Sequence, residues 1–445
     1  MNLRRWLTPG MGVKRWLLVA FLGLLLLALG VAHLLRQLSR DLEPGGVAGT
    51  VIDLATLQFL PYPLRGLIVG GVGVALLGLG AYRVLRVVTD PLRTSESDQP
   101  LVEVIYQKRF LARGPRIVAI GGGTGLSALL RGLKEHTSNL TAVVTVADDG
   151  GSSGVLRNEL GIPAVGDIRN CIAALADAEP LMNELLQYRF PVADAETASG
   201  EGPGLAGHAV GNLLLAAMTA IEGGDFEEGV RRINRILAVR GQVVPVTATP
   251  LTLHAQCRDG SVVDGQSLIM LTRDIERVWI TPDGVDASED ALAAIADAEL
   301  IVLGPGSLYT SLLPSLLLPS IRDALLAASA PRLFVCNVAT QDGETAGLDL
   351  AAHLQALVAH TAPGLVDLVI ANNRFDARTP PDWSAETVRL HWPPASIGPV
   401  PRLILNDVVD PENARRHDPA HLATAIVNAL EAETASRRRT VGRTA

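Results

Sequence analysis

Residues 116–133 read RIVAIGGGTGLSALLRGL, and this stretch predicts the fold of the region around it. Arg116 to Ile120 is a short aliphatic strand, the turn Gly121–Gly125 follows at once, and a helix continues from Leu126 to Leu133. A glycine-rich turn between a strand and a helix exposes backbone N–H groups that hold a phosphate, aided by the helix dipole. Glycine is required because a side chain would block the close approach of the anion. The candidate nucleotide-binding residues of this turn are Gly121, Gly122, Gly123, Thr124 and Gly125.

Two alternatives to this interpretation are weaker. A dinucleotide fingerprint fits Gly123-x-Gly125-x-x-Ala128 only loosely, and no Walker A sequence is present, which disfavours a P-loop NTPase. A turn that serves packing alone is the other alternative. Four glycines in five residues after a strand favour the phosphate site.

The next predicted strand, Leu140 to Val146, ends in the acidic and small residues ADDGGSSG. Asp148 and Asp149 at the carboxyl end of a strand are candidates for binding a ribose hydroxyl or a magnesium ion. Ser152 and Ser153 are candidates for a second anion site. The alternative is an Asx turn that caps the next helix.

Polar residues also follow or precede further predicted strands and helices. Asp167 is a candidate helix N-cap, and Arg169 is a candidate partner for either a phosphate or an acid. His208 is expected to be structural. The carboxyl ends of parallel strands share one edge of a sheet, where ligands bind, so the recurrence of such residues predicts a site there. The remaining candidates are Asp167, Arg169, Asn170, Asn212, Gly304, Gly306, Ser307, Asn337, Thr340, Gln341 and Thr345.

Composition agrees with an α/β fold and excludes some functions. The chain has 445 residues, 48% hydrophobic and 4% aromatic, with a net charge of −8, which argues against nucleic-acid binding. Cys171, Cys257 and Cys336 are far apart, so neither a metal motif nor a disulfide framework is expected. Within residues 243–280, strand-like stretches alternate with turn signals, a pattern that predicts hairpins. We therefore predict a Rossmann-like, mainly parallel sheet with helices on both faces and inserted hairpins.

The N-terminal region predicts a membrane hairpin. Residues 17–35 and 67–85 are each apolar over a length close to the roughly 20 helical residues that cross a bilayer. A cleaved signal peptide and a buried core helix are the respective alternatives. Flanking Lys and Arg residues favour cytosolic termini. The predicted organisation is a membrane hairpin at 1–93, a linker at 94–115, a cytoplasmic nucleotide-binding domain at 116–432 and a disordered tail at 433–445.

Seven motifs in this order resemble the gluconeogenesis factor family (YvcK-type), which is related to the 2-phospho-L-lactate transferase (CofD-type) family. The resemblance spans about Arg116 to Ala432, and the two membrane spans lie outside the family's usual pattern. The motifs are GGGTGLS (121–127), VADDGGSSGVLR (146–157), GDIRNC (166–171), GHAVGN (207–212), GPGSLYTS (304–311), NVATQDGET (337–345) and RHD (416–418).

The resemblance implies a Rossmann-like nucleotide-binding domain that takes UDP-sugars, and a role in cell shape and wall synthesis during gluconeogenic growth. It implies cell-wall synthesis proteins or a second copy of the chain as candidate partners, with no cofactor required. The transferase branch moves a phospholactyl group from a guanosine nucleotide to a deazaflavin with magnesium. Here GGSSGVLR and GDIRNC stand where that branch has a PDLDT-like stretch, which favours a regulator over an enzyme.

Two alternatives remain: a phosphate-linked group transferase with magnesium on Asp148 and Asp149, and an NAD-dependent oxidoreductase, for which no proton relay is visible. In the leading interpretation, backbone N–H groups of residues 122–125 and 304–307 contact a diphosphate. Arg416, just before the predicted last helix from Pro419 to Ala432, supplies the main positive charge. Asp418 is the predicted N-cap of that helix.

Overall fold

The computed structural model describes residues 110–176, 179–191, 204–379, 386–394 and 397–444, with isolated positions 24, 28 and 61. The chain divides after Arg109, and every element below belongs to the unit that begins at Phe110. Apart from those isolated positions, the predicted membrane spans lie outside the described residues. Among the described residues, no helix is both long enough and apolar enough to cross a bilayer.

Short aliphatic runs form the strands, since β-branched and aliphatic side chains pack well on a sheet covered on both sides. The strands of the described part are β1 (Ile117–Gly121), β2 (Leu140–Val144), β3 (Gln242–Pro245), β4 (Thr252–Cys257), β5 (Val262–Asp264), β6 (Ile275–Thr281), β7 (Leu300–Leu303), β8 (Arg332–Val335), β9 (Leu368–Asn372), β10 (Arg402–Asn406), β11 (Val409–Asp410) and β12 (Asn413–His417).

Seven of these strands form one parallel sheet in the order β10-β9-β8-β7-β1-β2-β3. The chain runs outward from β1 to β3, and then returns to the other side of β1 and runs outward from β7 to β10. The direction of winding therefore reverses between β1 and β7. Such a reversal opens a crevice at the carboxyl ends of the two strands.

The predicted helices on both faces of this sheet are confirmed by burial, because every residue of β1, β7 and β9 is buried although successive side chains point to opposite faces. The described helices are α1 (Gly123–Leu133), α2 (Gly151–Leu160), α3 (Gly166–Leu175), α4 (Glu179–Gln187), α5 (Val210–Ile221), α6 (Phe226–Ile236), α7 (Gln266–Ile269), α8 (Glu289–Asp297), α9 (Leu313–Leu316), α10 (Pro319–Ala327), α11 (Leu350–His360) and α12 (Pro419–Thr444), with a π-helical turn at Leu308–Leu312.

The predicted hairpins are confirmed with one correction. Strands β4, β5 and β6 form a separate antiparallel sheet in the order β5-β4-β6. Val243 to Pro245, where the hairpins were predicted to begin, instead lie in β3 at the edge of the parallel sheet. Their aliphatic run has no alternation, as expected for a strand buried on both faces.

The last helix begins as predicted and ends later. The Asp418 carboxylate accepts a hydrogen bond of 2.8 Å from the His421 backbone N–H, so Asp418 is the N-cap before Pro419. Helix α12 continues to Thr444, so the prediction of a disordered tail from residue 433 is wrong for residues 433–444. The Arg437 guanidinium donates to the Ser329 carbonyl at 2.8 Å, which fixes this extension to the body.

All three cysteines carry free thiols and are buried. Burial raises the pKa of the Cys171 and Cys336 thiols well above their ordinary value. Neither thiol is therefore ionised near neutral pH, and both behave as small apolar side chains in the core.

Candidate functional site

A cleft of about 1020 Å³ lies at the carboxyl edge of the parallel sheet, where β1 and β7 end. A volume of this size suits a ligand as large as a nucleotide. The structure brings ten of the predicted residues together in its lining: Gly122, Gly123, Thr124, Gly125, Gly306, Ser307, Asn337, Thr340, Gln341 and Arg416.

The two glycine loops touch at the base of this cleft. Gly123 has a φ of +67°, a conformation that glycine adopts without strain. A Cβ atom on Gly125 would lie 2.8 Å from the Pro305 carbonyl oxygen, so only glycine permits helix α1 to approach the loop after β7 this closely. The resulting floor is made of backbone at the N-terminus of an 11-residue helix.

The backbone N–H groups of these loops are not equally available to a ligand. The Gly304 N–H donates to the Ile120 carbonyl at 2.9 Å, and the Gly306 N–H donates to Asn337 Oδ1 at 3.3 Å. The Gly123 N–H faces the Asp167 carboxylate. The first-turn amides of helix α1 lack acceptors within the helix, which makes those of Thr124 and Gly125 the natural anion donors.

Asp167 is not the N-cap of its helix, contrary to expectation. Helix α3 begins at Gly166 with Val165 at the N-cap position, and Asp167 lies in the first turn. Its carboxylate reaches the first glycine loop, where a Cβ on Gly122 would lie 2.4 Å from Asp167 Oδ2. Burial, followed by the neighbouring Asp148 carboxylate, raises the Asp167 pKa to about 6. A carboxyl that titrates near neutral pH thus lies directly beneath the loop.

The paired aspartates have separate roles. Asp148 Oδ1 accepts a 2.9 Å hydrogen bond from the Gly150 N–H, which is the Asx turn considered as the alternative. Asp149 Oδ1 accepts from the Ser267 N–H at 2.9 Å and the Ser267 hydroxyl at 2.7 Å, and so ties β2 to helix α7. Within the described residues, no three His, Cys, Asp or Glu side chains are grouped as a metal site.

Another group of predicted residues lies outside the cleft lining, in a buried hydrogen-bonded network. Ser152 Oγ lies 3.0 Å from His208 Nδ1 and accepts from Asn212 Nδ2 at 3.0 Å. Arg169 donates to Asn212 Oδ1 at 3.1 Å and to Asn170 Oδ1 at 3.0 Å, so its guanidinium partners are amides. Burial lowers the Arg169 pKa from its usual value. His208 is structural, as expected, and this network joins helices α2, α3 and α5.

Ser153 and Thr345 are also buried and lie outside the cleft lining. Thr345 Oγ1 accepts the Gln341 N–H at 2.8 Å, which shapes the loop after β8. Gln341 in turn donates from Nε2 to Ser307 Oγ at 2.7 Å, and Thr340 exchanges hydrogen bonds with the Glu386 backbone. These bonds hold the loops after β7 and β8 together.

Sequence reasoning did not single out Glu344, although it lies within the quoted motif at 337–345. Its side chain is 2% exposed, and neither carboxyl oxygen makes a hydrogen bond of normal geometry in the described part of the chain. Burial raises the Glu344 pKa to about 7, opposed by interactions with Thr310 and Ser307. The sequence signal that could have identified Glu344 is its position as a carboxyl residue within the motif at 337–345.

The cleft carries several positive charges besides Arg416. Arg131, Arg273 and Arg415 also line it, and none of the three was predicted. Arg273 pairs with Asp342, whereas Arg416 is exposed and makes no ion pair with any described residue. Arg416 lies in β12, a strand absent from the predicted elements. These arginines make the local charge favourable for an anion in a chain that is net acidic.

Comparison with known proteins identifies similar sequences. The family model described as "2-phospho-L-lactate transferase CofD" matches residues 117–387. The gluconeogenesis factor of Bacillus subtilis (strain 168) is 48% identical over 264 residues, covering 59% of this chain and 80% of that protein. A relative from Deinococcus radiodurans is 42% identical over 382 residues, covering 84% of this chain and 78% of that protein.

The match to the Deinococcus radiodurans relative shows that the resemblance begins earlier in the chain than the predicted start near Arg116. Residues from Phe110 onward make up about three quarters of the chain, so a match over 84% extends into the residues before Phe110. A solved structure also matches: the crystal structure of a UPF0052 family member from Bacillus halodurans, at 40% identity and a TM-score of 0.62. It covers 71% of this chain and 99% of that one.

Proposed function

This chain belongs to the family described as 2-phospho-L-lactate transferase CofD and is a homologue of the gluconeogenesis factors, and from that premise we propose that it binds a nucleotide sugar of the UDP-sugar class. The ligand's diphosphate lies at the N-terminus of helix α1, on the first-turn amides of Thr124 and Gly125. Its nucleoside and sugar extend into the cleft between the loops after β1, β7 and β8. The bound state regulates cell-wall synthesis and cell shape during gluconeogenic growth, from a position at the membrane.

The observation that carries this proposal is the contact between two glycine loops at the β1–β7 reversal. Helix N-termini bind anions through unsatisfied N–H groups and the helix dipole. The loop after β7 forms the opposite wall of the cleft. It can lie this close because Gly125 has no side chain: a Cβ there would be 2.8 Å from the Pro305 carbonyl oxygen. The exposed guanidinium of Arg416 lines the same cleft and supplies a charge that pairs well with a phosphate.

Calorimetric titration of the purified protein tests the proposal. UDP-glucose and UDP-N-acetylglucosamine are expected to bind, with GDP and NAD weaker. Arg416→Ala should weaken UDP-glucose binding roughly 10–150-fold, since a charge-assisted hydrogen bond contributes about 1.5–3 kcal/mol. Arg322→Ala is the matched control, because Arg322 is a half-buried arginine of helix α10 that pairs with Asp323 and does not line the cleft.

Two outcomes contradict the proposal in different ways. Failure of both UDP-sugars to bind removes the ligand class. Binding that Arg416→Ala and Arg322→Ala change equally removes Arg416 from the site while leaving the ligand class intact.

A transferase is the second candidate, and the pair of carboxyls beside the first glycine loop favours it. Asp148 acts on the Asp167 carboxyl through its charge and raises its pKa, so the two groups are close together. Magnesium commonly binds one or two carboxylates together with phosphate oxygens, so Asp148 and Asp167 would hold such an ion. When bound, the metal would neutralise the charge of a transferring phosphate. Asp149, which is bonded to Ser267, is the less suitable partner.

The transferase hypothesis predicts magnesium-dependent turnover of a deazaflavin acceptor with a guanosine-nucleotide phospholactate donor. Asp148→Asn should then reduce turnover more than nucleotide affinity, and Ser153→Ala, a small change at a neighbouring buried hydroxyl, should spare turnover. Absence of product with magnesium present favours the regulator.

A further inference from the structure

His417 is a buried imidazole at the edge of the cleft with unsatisfied hydrogen-bonding groups. Its side chain is 7% exposed and forms part of the cleft lining. Neither Nδ1 nor Nε2 makes a hydrogen bond of normal geometry with any described residue, although the Val408 backbone lies near the ring. Buried polar groups in folded proteins are nearly always hydrogen-bonded, so an imidazole without a partner among the described residues, in the lining of a cleft, is a candidate to bind a ligand.

The state of charge of the ring decides which partner fits. Burial lowers the His417 pKa to about 4, so the imidazole is neutral at pH 7. A neutral imidazole has one N–H donor and one nitrogen acceptor. A phosphate offers acceptors alone, whereas a hydroxyl both donates and accepts. The ring is therefore matched to an uncharged hydroxyl-bearing group.

Arg416, the residue next to His417 in β12, differs from it in charge and exposure. Along β12, Arg416 is exposed and His417 is buried, and both residues line the cleft. Gln341 also lines this cleft, and its Oε1 is buried and has no hydrogen-bond partner among the described residues, while Nε2 donates to Ser307 Oγ. The cleft thus combines an exposed cation with two neutral, unsatisfied polar side chains.

We propose that His417 is a specificity-determining residue that binds a sugar hydroxyl of the nucleotide-sugar ligand through its neutral imidazole, with Gln341 Oε1 as a second acceptor for the same part of the ligand. This proposal rests on the proposed function and adds to it that separate residues of the cleft bind the diphosphate and the sugar of the ligand. Arg416 and the helix α1 amides bind the diphosphate, and His417 and Gln341 select for the uncharged sugar portion.

The test uses the full-length protein with three probes: UDP-glucose, UDP and inorganic pyrophosphate. His417→Phe keeps the ring volume and removes both nitrogens. It should weaken UDP-glucose binding about tenfold, the effect of losing roughly one or two neutral hydrogen bonds, and leave pyrophosphate binding unchanged. It should also raise the melting temperature of the ligand-free protein, because it removes unsatisfied polar atoms from a buried position.

His353→Phe is the matched control. His353 is a buried histidine of helix α11 whose Nε2 also has no hydrogen-bond partner in the part of the chain that the structure describes, but it lies outside the cleft lining. This change should leave the affinity for all three probes unchanged. His417→Gln, which retains a donor and an acceptor, should recover part of the affinity that His417→Phe loses.

The outcomes separate the two levels of the proposal. If wild type does not bind UDP-glucose, the proposed function fails and this inference falls with it. If wild type binds UDP-glucose and His417→Phe binds it equally well, this inference alone is overturned. An equal loss for pyrophosphate also overturns it, since the ring would then contact phosphate. Loss for UDP-glucose but not UDP assigns the hydroxyl to the hexose, and equal loss for both assigns it to the ribose.

Discussion

At the scale of single residues, the protonation of Glu344 links the loops of the site to pH. Its carboxyl lies beside Ser307, Tyr309 and Thr310, with its pKa raised to about 7 mainly by burial. An unfolded glutamate titrates near 4.5. The folded protein therefore holds this proton more tightly than the unfolded chain, so the contribution of Glu344 to stability is present below about pH 4.5 and is lost as the pH rises through 7.

We expect Glu344→Gln to flatten this part of the pH profile. The free-energy difference of unfolding between wild type and Glu344→Gln should shift in favour of the variant between pH 5 and 7.5, by an amount on the order of 3 kcal/mol at most. Urea denaturation at several pH values measures it. Asp167 and His417 titrate in both proteins, so they cancel in the difference. Parallel profiles for the two proteins would show that Glu344 does not titrate in this range.

The close approach at Gly125 gives a second prediction at this scale. Gly125→Ala should separate helix α1 from Pro305, lower the free energy of unfolding by about 1–3 kcal/mol and weaken UDP-glucose binding, because overpacking displaces backbone. Gly204→Ala is the control, since no described residue lies within 4 Å of a Cβ at that position. Denaturant unfolding and calorimetry measure both effects. Equal, small changes in the two variants would mean that the loops move apart without cost.

At the scale of elements, the inserted antiparallel sheet is tied to the parallel sheet by Asp149. The carboxylate accepts both the backbone N–H and the hydroxyl of Ser267 at the start of helix α7. A carboxylate bonded twice in this way is a charge-assisted contact between segments more than a hundred residues apart in the chain. This contact positions Met270 and Leu271, which line the cleft.

We therefore expect Ser267→Ala to lower the free energy of unfolding by about 1–2 kcal/mol, since it removes a hydrogen bond to a charged group. Ser261→Ala is the matched control: Ser261 bonds the exposed carboxylate of Asp259 within one hairpin, and its loss should cost less than about 0.5 kcal/mol. Chemical denaturation compares the two. A double-mutant cycle with Asp149→Asn should show that the two changes are not additive in the free energy of unfolding. Additive effects would contradict an interaction between Asp149 and Ser267.

The strands that sequence predicted share one property. β1, β2, β7, β8 and β9 are mostly apolar runs with turn residues after them, and the observed bounds of β1 and β2 differ from the predicted ones by two residues or fewer. β10 has only the short apolar run 403–405 between Arg402 and Asn406, and β12 contains Arg415 and Arg416 and has no apolar run. β12 pairs with β11, a strand of two residues that is too short to show a pattern of its own, and β10 pairs with β9, which ends at Asn372.

The candidate site was predictable to the same extent and for a related reason. Glycine loops after predicted strands located the cleft, because parallel strands place such loops on one edge. Burial was not predictable, and it decides that Arg169 and Asn212 belong to an internal network while Arg416 faces the cleft. Burial is also the main cause of the raised pKa values of Asp167 and Glu344, so these shifts could not be predicted from the sequence alone.

At the scale of the whole molecule, the division after Arg109 predicts that the second unit folds independently. A fragment of residues 110–445 should unfold cooperatively and bind UDP-glucose with the affinity of the full chain. The full chain should sediment with membranes and require detergent for extraction, whereas the fragment should remain in the supernatant. Thermal unfolding, calorimetry and fractionation measure these properties. A full chain that stays in the supernatant would contradict the membrane anchor, and an unfolded fragment would contradict the division.

The burial of all three cysteines makes this molecule easy to label with dyes. Maleimide reagents react with exposed thiolates, so the native protein offers them no fast target. Leu271, on the lip of the cleft, is 73% exposed. A fluorophore attached to Leu271→Cys would be the single fast-reacting label on an otherwise unmodified chain. Its emission would then follow ligand entry in real time, without replacing any native cysteine.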